Sequence, residues 1–331
     1  MTLARAACMR LLSVGLLAGT LPLAALDAGA QQARIDRVGV LFLGGTYSRA
    51  IDGLRDGLRE LGFEEGTHFV LHIRDTMGDL KSVEMAASGL EAEKVDLIYT
   101  VATSVTLAAK RATKSVPIVF YAGADPVASG LVESFPKPGG RLTGIHGLFS
   151  DLTPKRLHLL KEILPKMRRV VTFYSPENPA AQRSIIIARD AARRLNLELV
   201  ERPVTSVADL RTALRGLRIG EMDAFCYVAD AMVNSQSQLV IDTARVKRLP
   251  TMVSAPETVT MGALVAYGVS YHAFGRLSAK HVQRVLVGAN PGELPVEQVD
   301  RLYFAINLKT AKALGVTVPP SVLARADEVI R

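Results

Sequence analysis

The chain has 331 residues, of which 49% are hydrophobic, 5% aromatic and none tryptophan, and it carries a formal net charge of +8 at pH 7. That apolar share excludes a disordered chain, and the length exceeds the ~250–300 residues one hydrophobic core organises, so two domains are expected. The basic residues are scattered along helix faces, as at Lys161, Lys166, Arg168 and Arg169, or at Arg193 and Arg194. No basic run is interleaved with aromatics, so the expectation is a solvated basic surface with no nucleic-acid partner.

Arg5 and Arg10 open the chain, the apolar stretch Leu11 to Leu26 follows with Pro22 inside it, and the small triplet Ala28-Gly29-Ala30 precedes Gln31. This order is that of a cleaved signal peptide over residues 1–30, and the apolar run is shorter than the ~20 residues a membrane span needs. A retained N-terminal anchor helix is the competing reading. Lipid attachment needs a cysteine just after the apolar run, and Cys8 lies before it, so a lipoprotein is not expected. The mature protein is expected in the periplasm, away from ATP, NADH and chromosomal DNA. Cys226 then remains as a single thiol inside the apolar run Ala224 to Val228, where a buried, inert cysteine is expected.

From there strand and helix patterns alternate. Val38 to Leu43, Phe69 to Ile73, Leu97 to Val101 and Ile118 to Tyr121 read as strands, separated by helical stretches at Arg49 to Leu61, Leu80 to Lys94 and Val105 to Ala112. Asp125 to Ser134 reads as a turn and short helix, and Leu142 to Leu148 as a further strand. The grammar restarts with a helix at Leu157 to Leu164, then strands at Val170 to Tyr174, Leu197 to Val200, Phe225 to Val228, Thr251 to Ser254 and Leu264 to Val269. Helices at Ala180 to Leu195, Val207 to Leu217, Leu239 to Val246 and Phe274 to Val287 accompany them. Such alternation implies parallel sheets with right-handed crossovers, here in two similar lobes. The expected fold is α/β: two similar lobes with parallel sheets flanked by helices.

In open parallel sheets, ligands sit beyond the carboxyl ends of the strands. The residues there are Gly44-Gly45-Thr46-Tyr47, Ala102-Thr103-Ser104, Ala122-Gly123-Ala124-Asp125, Ser175-Pro176-Glu177-Asn178, Asp230-Ala231 and Ala255-Pro256-Glu257. Thr46, Tyr47, Thr103, Ser104, Ala122, Gly123, Asn178 and Asp230 are the candidate ligand-binding residues. Thr103 and Ser104 can hydrogen-bond a carboxylate or cap a helix; Tyr47 can stack on a flat ligand or simply pack; Asp230 can meet a ligand ammonium or cap the next helix. Asp125, before Pro126, reads as a turn initiator. No nucleophile elbow, phosphate-binding loop or metal-ligand spacing is present among the motifs, so no catalytic residue, metal or cofactor is expected.

Several strings together resemble a known family. Val116-Pro117-Ile118-Val119-Phe120, Asp125-Pro126-Val127, Gly130-Leu131-Val132 and Pro138-Gly139-Gly140-Arg141-Leu142-Thr143-Gly144 are similar to segments of the substrate-binding proteins of ABC transporters, in the branch that includes tryptophan- and tyrosine-binding proteins. Lys161-Glu162-Ile163-Leu164-Pro165, Gly262-Ala263-Leu264 with Tyr271 and Gly275, and Ile306-Asn307 with Ala313-Leu314-Gly315 and Pro319 extend the resemblance over nearly all of the mature chain. It implies a periplasmic-binding-protein type I fold whose lobes, joined by three crossing hinge segments, close on a small solute. The lobes would be 31–148 plus 271–293 and 149–270 plus 294–331. It also implies an ABC permease in the inner membrane as partner, a monomer, and a ligand that is an amino acid or a related polar or aromatic compound. The family often places Asp-Asn where this chain has Asp230-Ala231, which suggests a bulkier or less polar ligand. A ligand-sensing partner of a membrane receptor and an extracytoplasmic α/β hydrolase are the rival readings. If the leader is read correctly, mass spectrometry of protein from the native periplasm finds Gln31 at the N-terminus; an intact Met1 in a cytosolic protein contradicts it.

Overall fold

The computed structural model describes residues 34–147 and 149–331; the leader at 1–30, with Cys8, and the lobe boundary at Leu148 lie outside the described residues. The chain runs β1 (Asp36–Phe42), α1 (Ser48–Glu60), β2 (Phe69–Asp75), α2 (Lys81–Ala92), β3 (Leu97–Val101), α3 (Thr103–Ala112), β4 (Ile118–Ala122) and β5 (Leu142–His146). It continues through α4 (Thr153–Ile163), β6 (Arg169–Tyr174), α5 (Pro179–Arg194), β7 (Glu198–Pro203), α6 (Val207–Gly216), β8 (Ala224–Cys226), the short α7 (Ala231–Ser235), α8 (Ser237–Val246), β9 (Thr251–Val253), α9 (Glu257–Thr260) and β10 (Val265–Gly268). It closes with α10 (Tyr271–Leu286), β11 (Glu297–Gln298), β12 (Tyr303–Asn307), α11 (Leu308–Leu314), α12 (Pro320–Leu323) and β13 (Glu328–Ile330).

Two sheets result, in the orders β11-β5-β4-β3-β1-β2 and β13-β12-β10-β9-β8-β6-β7. Their central strands are buried on both faces, as β3 and β4 are throughout, which is why the sequence shows apolar runs there and not alternation. Pairing is parallel except between β10 and β12, which are antiparallel. The expected parallel sheets are present, with one antiparallel pair. Between these two strands the chain leaves the second sheet for α10 and β11 of the first, and β12 re-enters beside β10 in the opposite direction. Asp125 starts a turn as expected, its Oδ1 accepting the N–H groups of Val127 and Ala128, but no helix follows it.

The chain passes between the sheets after β5, before α10 and after β11. Helix α10 packs on α1 and over β3 to β5 of the first sheet although it follows β10 of the second. Glycines let it approach. A Cβ on Gly275 would stand 1.8 Å from the Ala50 carbonyl oxygen, and one on Gly53 1.9 Å from that of His272. The expected division placed 294–331 in the second lobe, but its start packs with the first: β11 pairs with β5, Leu294 accepts the Thr143 hydroxyl, and Val299 donates its N–H to His146. A strand of two residues is too short to leave a sequence pattern.

Cys226 is buried, and burial pushes its thiol up to about 12, as an inert core cysteine requires. No helix of the described residues is long and apolar enough to cross a membrane. The α1–α10 crossing generates a prediction. Gly275→Ala forces the two helices apart and is expected to destabilise the protein by about 2–3 kcal/mol in urea unfolding. Gly89→Ala, in α2 with nothing within 4 Å of the added methyl, is expected to stabilise by up to ~1 kcal/mol. Equal midpoints for the two variants contradict the packing described.

Candidate functional site

Parallel register sets β3 and β4 level, with Val101 opposite Tyr121. The chain leaves β3 through Ala102, whose φ of 95° is a strained backbone for alanine. The Ala102 N–H donates to the Tyr121 carbonyl, and its own carbonyl receives the Thr106 N–H. Helix α3 thus begins at Thr103 with no side chain capping it. The N–H groups of a first helical turn have no partner within the helix and carry positive partial charge.

This first turn opens on a narrow, partly open cavity of about 30 Å³ lined by Tyr47, Ala102, Thr103, Ser104, Tyr121, Gly123 and Phe149 on one side and by Asn178, Ala180, Tyr227, Ala229, Ala231 and Tyr271 on the rest. Thr103 Oγ1 accepts the N–H groups of Gly123 and Ala124 at 3.1 and 3.2 Å, which leaves its hydrogen free to donate. Ser104 Oγ is buried without a partner. Gly123 is required: a Cβ there would stand 2.7 Å from the Phe149 ring. Asn178 caps α5, its Oδ1 accepting from Ala180 at 3.1 Å.

Five of the thirteen residues that line the cavity are aromatic. Tyr47 and Tyr271 have ring centroids 4.9 Å apart, Tyr121 and Tyr271 6.0 Å, and Tyr121 meets Phe149 edge-on at 6.1 Å. The Tyr227 hydroxyl accepts the Asp230 N–H and donates to the Asp230 carbonyl, both at 3.0 Å. Burial pushes the hydroxyls of Tyr47, Tyr121 and Tyr227 well up, and that of Tyr271 to about 12, so all four are neutral at physiological pH.

The two sheets' elements meet at one edge of the cavity. Asn234 on α7 donates to the Tyr271 hydroxyl at 2.8 Å and lies 3.4 Å from Thr46 Oγ1. A Cβ on Gly45 would stand 1.9 Å from the Ser235 carbonyl oxygen. Outside that contact lies a wider groove of about 540 Å³, open to solvent, with Thr46, Arg49, Glu257, Ser270 and Tyr303 among its walls. The inner cavity is the better ligand site. It carries five aromatic side chains and sits at the strand ends where a helix start faces it.

The expected residues divide accordingly. Tyr47, Thr103, Ser104, Gly123 and Asn178 line the cavity together. Thr46 faces the outer groove, and Ala122 is a fully buried residue of β4. Asp230 is wholly buried. Its Oδ1 accepts the Val233 N–H at 2.9 Å, and its Oδ2 accepts the Ser175 N–H at 2.9 Å and Asn178 Nδ2 at 3.3 Å. Burial raises its pKa, against those three hydrogen bonds. It caps α7 and fixes Asn178.

The model of one protein family matches residues 38–330. The chain belongs to the ABC transporter substrate binding protein family. Its members are solute-binding proteins, and the chain is one of them rather than an enzyme. It is 29% identical over 269 residues to a tyrosine-binding protein of Clostridioides difficile, covering 81% of this chain and 77% of that one. A structure from Streptococcus pneumoniae in complex with L-Trp superposes with a TM-score of 0.80 at 26% identity, covering 90% of this chain and all of the other. A ligand-free, open structure of a substrate binding protein with adhesive properties from Clostridium difficile superposes at 0.59 with 24% identity, covering 89% and 99%. The two-lobed fold of the family is periplasmic-binding-protein-like, type I.

Sequence reasoning missed Tyr121, Phe149, Tyr227 and Tyr271, which are four of the cavity's five aromatic residues. Strand β8 ends at Cys226, two residues before the expected Val228, so Tyr227 is already a strand-end residue and the rule used above would have found it. Phe149 follows the end of β5 in the same way. Asp230→Asn discriminates between the two roles first considered for that residue. An amide cannot accept all three hydrogen bonds, so the unliganded variant is expected to lose about 1–3 kcal/mol in urea unfolding. An unchanged midpoint would show the carboxylate to be free for a ligand.

Proposed function

We propose that this protein captures a small solute with an aromatic ring in the interlobe cavity, closes over it by a hinge motion, and delivers it to an ABC permease in the inner membrane. It works as a monomer in the periplasm after loss of its leader. The observation that carries the reading is the cavity itself: five aromatic rings, those of Tyr47, Tyr121, Phe149, Tyr227 and Tyr271, around a polar end made by Thr103, Ser104 and Asn178. Flat rings bind flat rings by burial and offset stacking, and a helix start holds an anionic group.

Three further points support it. One relative is named for tyrosine, and one neighbour is a complex with L-Trp. The likeness is higher to that complex than to the open, ligand-free structure, at comparable identity. The contact of Gly45 with Ser235 and of Asn234 with Tyr271 encloses the cavity, as a closed state requires. A ligand that favours this arrangement shifts the population toward it.

Calorimetry and small-angle scattering on the dialysed protein test this together. A panel of aromatic amino acids, aromatic acids, aliphatic amino acids and sugars is expected to give tight binding only for aromatic members, with a fall in radius of gyration. At a hundredfold the dissociation constant, the bound solute adds about 2.7 kcal/mol of stability. Binding confined to sugars or aliphatic amino acids, or binding without compaction, contradicts the proposal.

A further inference from the structure

Beside Tyr271 stands a group of polar atoms that the aromatic reading does not use. Ser254 follows β9 and Glu257 opens α9, so both lie beyond a strand end of the second sheet. Glu257 Oε1 accepts the Ser270 hydroxyl and, at 3.3 Å, the His272 N–H. The carboxylate is thus held against the residues on either side of Tyr271, which lines the cavity. Glu257 Oε2 is buried without a hydrogen-bond partner, and so is Ser254 Oγ. The Tyr271 hydroxyl lies near both and accepts Asn234 Nδ2 at 2.8 Å, which leaves it one lone pair.

Neither oxygen of Glu257 meets a basic side chain among the described residues. Arg49, which shares the outer groove with it, pairs with Asp52 at 3.2 Å, and the His272 ring turns to Asp56 at 2.9 Å. A buried acceptor without a partner is unfavourable, and more so when it belongs to a charged group. One chemical group would satisfy Oε2, Ser254 Oγ and the Tyr271 hydroxyl together. An ammonium has three N–H donors and the opposite charge. The Tyr47 and Tyr271 rings, 4.9 Å apart, add cation–π attraction for the same group. Asp230, the other acid near the cavity, has both oxygens engaged by Val233, Ser175 and Asn178 and offers none without a partner.

We infer that Glu257 is the residue that selects for a positive charge on the solute: its Oε2, with Ser254 Oγ and the Tyr271 hydroxyl, receives an ammonium group carried by the aromatic solute. The inference rests on the aromatic reading and gives the ammonium contact to Glu257, not to Asp230. The outer groove, of which Glu257 is a wall, is the approach from solvent. Because Glu257 also holds Ser270 and His272, the charge is bound where the chain crosses into α10.

Calorimetry on the dialysed protein and on Glu257→Gln tests this with L-tyrosine and 3-(4-hydroxyphenyl)propanoate, which share ring and carboxylate and differ in the ammonium, and with the corresponding indole pair. The amide keeps an oxygen for Ser270 and His272 and places an uncharged NH2 where Oε2 was. The unaltered protein is expected to bind the amino acid at least about tenfold more tightly than the acid. Glu257→Gln is expected to lose at least about tenfold for the amino acid while its affinity for the acid stays within about twofold. Ser254→Ala, which deletes a hydroxyl without a partner, is expected to give the same split at about fivefold, and it carries the test if Glu257→Gln does not fold. Equal or tighter binding of the acid by the unaltered protein overturns the inference. So does an equal loss for both probes, which would make Glu257 a positioning residue for the crossing alone, and so does no loss for either. Each of these results leaves the aromatic reading standing. Binding of no member of either pair, with a sugar or aliphatic solute bound instead, overturns both.

Discussion

The structure depends on a close approach of backbone to backbone. The turn Gly45–Tyr47, after β1 of the first sheet, meets α7 of the second so tightly that no side chain fits at Gly45, whose φ is +59° and whose α-carbon faces the Ser235 carbonyl. That contact places Tyr47 over the cavity and lets Asn234 reach the Tyr271 hydroxyl. Without it Tyr47 and Tyr271 would border solvent, and the cavity's aromatic surface would be exposed. A large exposed apolar patch is unfavourable unless something covers it. In the proposed hinge motion, a bound solute would cover that surface, which would tie the geometry of closure to the chemistry of the ligand.

The aromatic wall is assembled from distant parts of the chain. Tyr121 ends β4, Phe149 follows β5, Tyr227 follows β8, and Tyr271 begins α10. Helix α10 belongs by packing to the first sheet, seated there by Gly53 and Gly275. Phe149 and Tyr271 stand at two of the places where the chain passes between the sheets, and Arg156 holds the carbonyls of Phe149 and Tyr267 there. Rings at these crossings move with any change in the angle between the lobes. The cavity wall and the segments that cross between the sheets therefore share residues.

The two-sheet architecture was legible because apolar runs such as Leu97–Val101 and Ile118–Ala122 are buried on both faces and the helices between them carry one apolar stripe. Thr103, Ser104 and Gly123 were legible from the rule that sites lie beyond strand ends. Other features depend on tertiary packing that leaves no local mark. β11 is two residues long, and Asp230 sits where a ligand acceptor would sit, yet the loop at Ser175 folds over and takes its free oxygen. The tyrosines were hidden for a different reason: in a sequence they look like ordinary core aromatics, and only the three-dimensional arrangement shows that they surround a space.

If the proposed closure across the Gly45–Ser235 contact holds the ligand, the affinity of Gly45→Ala for the solute that binds the unaltered protein reports it most directly. The added methyl occupies the position of the Ser235 carbonyl oxygen only when the lobes are together. The variant is expected to melt close to the unaltered protein when unliganded, with a cost of about 1 kcal/mol for the left-handed backbone, yet to lose tight binding and no longer compact in small-angle scattering. Unchanged affinity with unchanged compaction would contradict it.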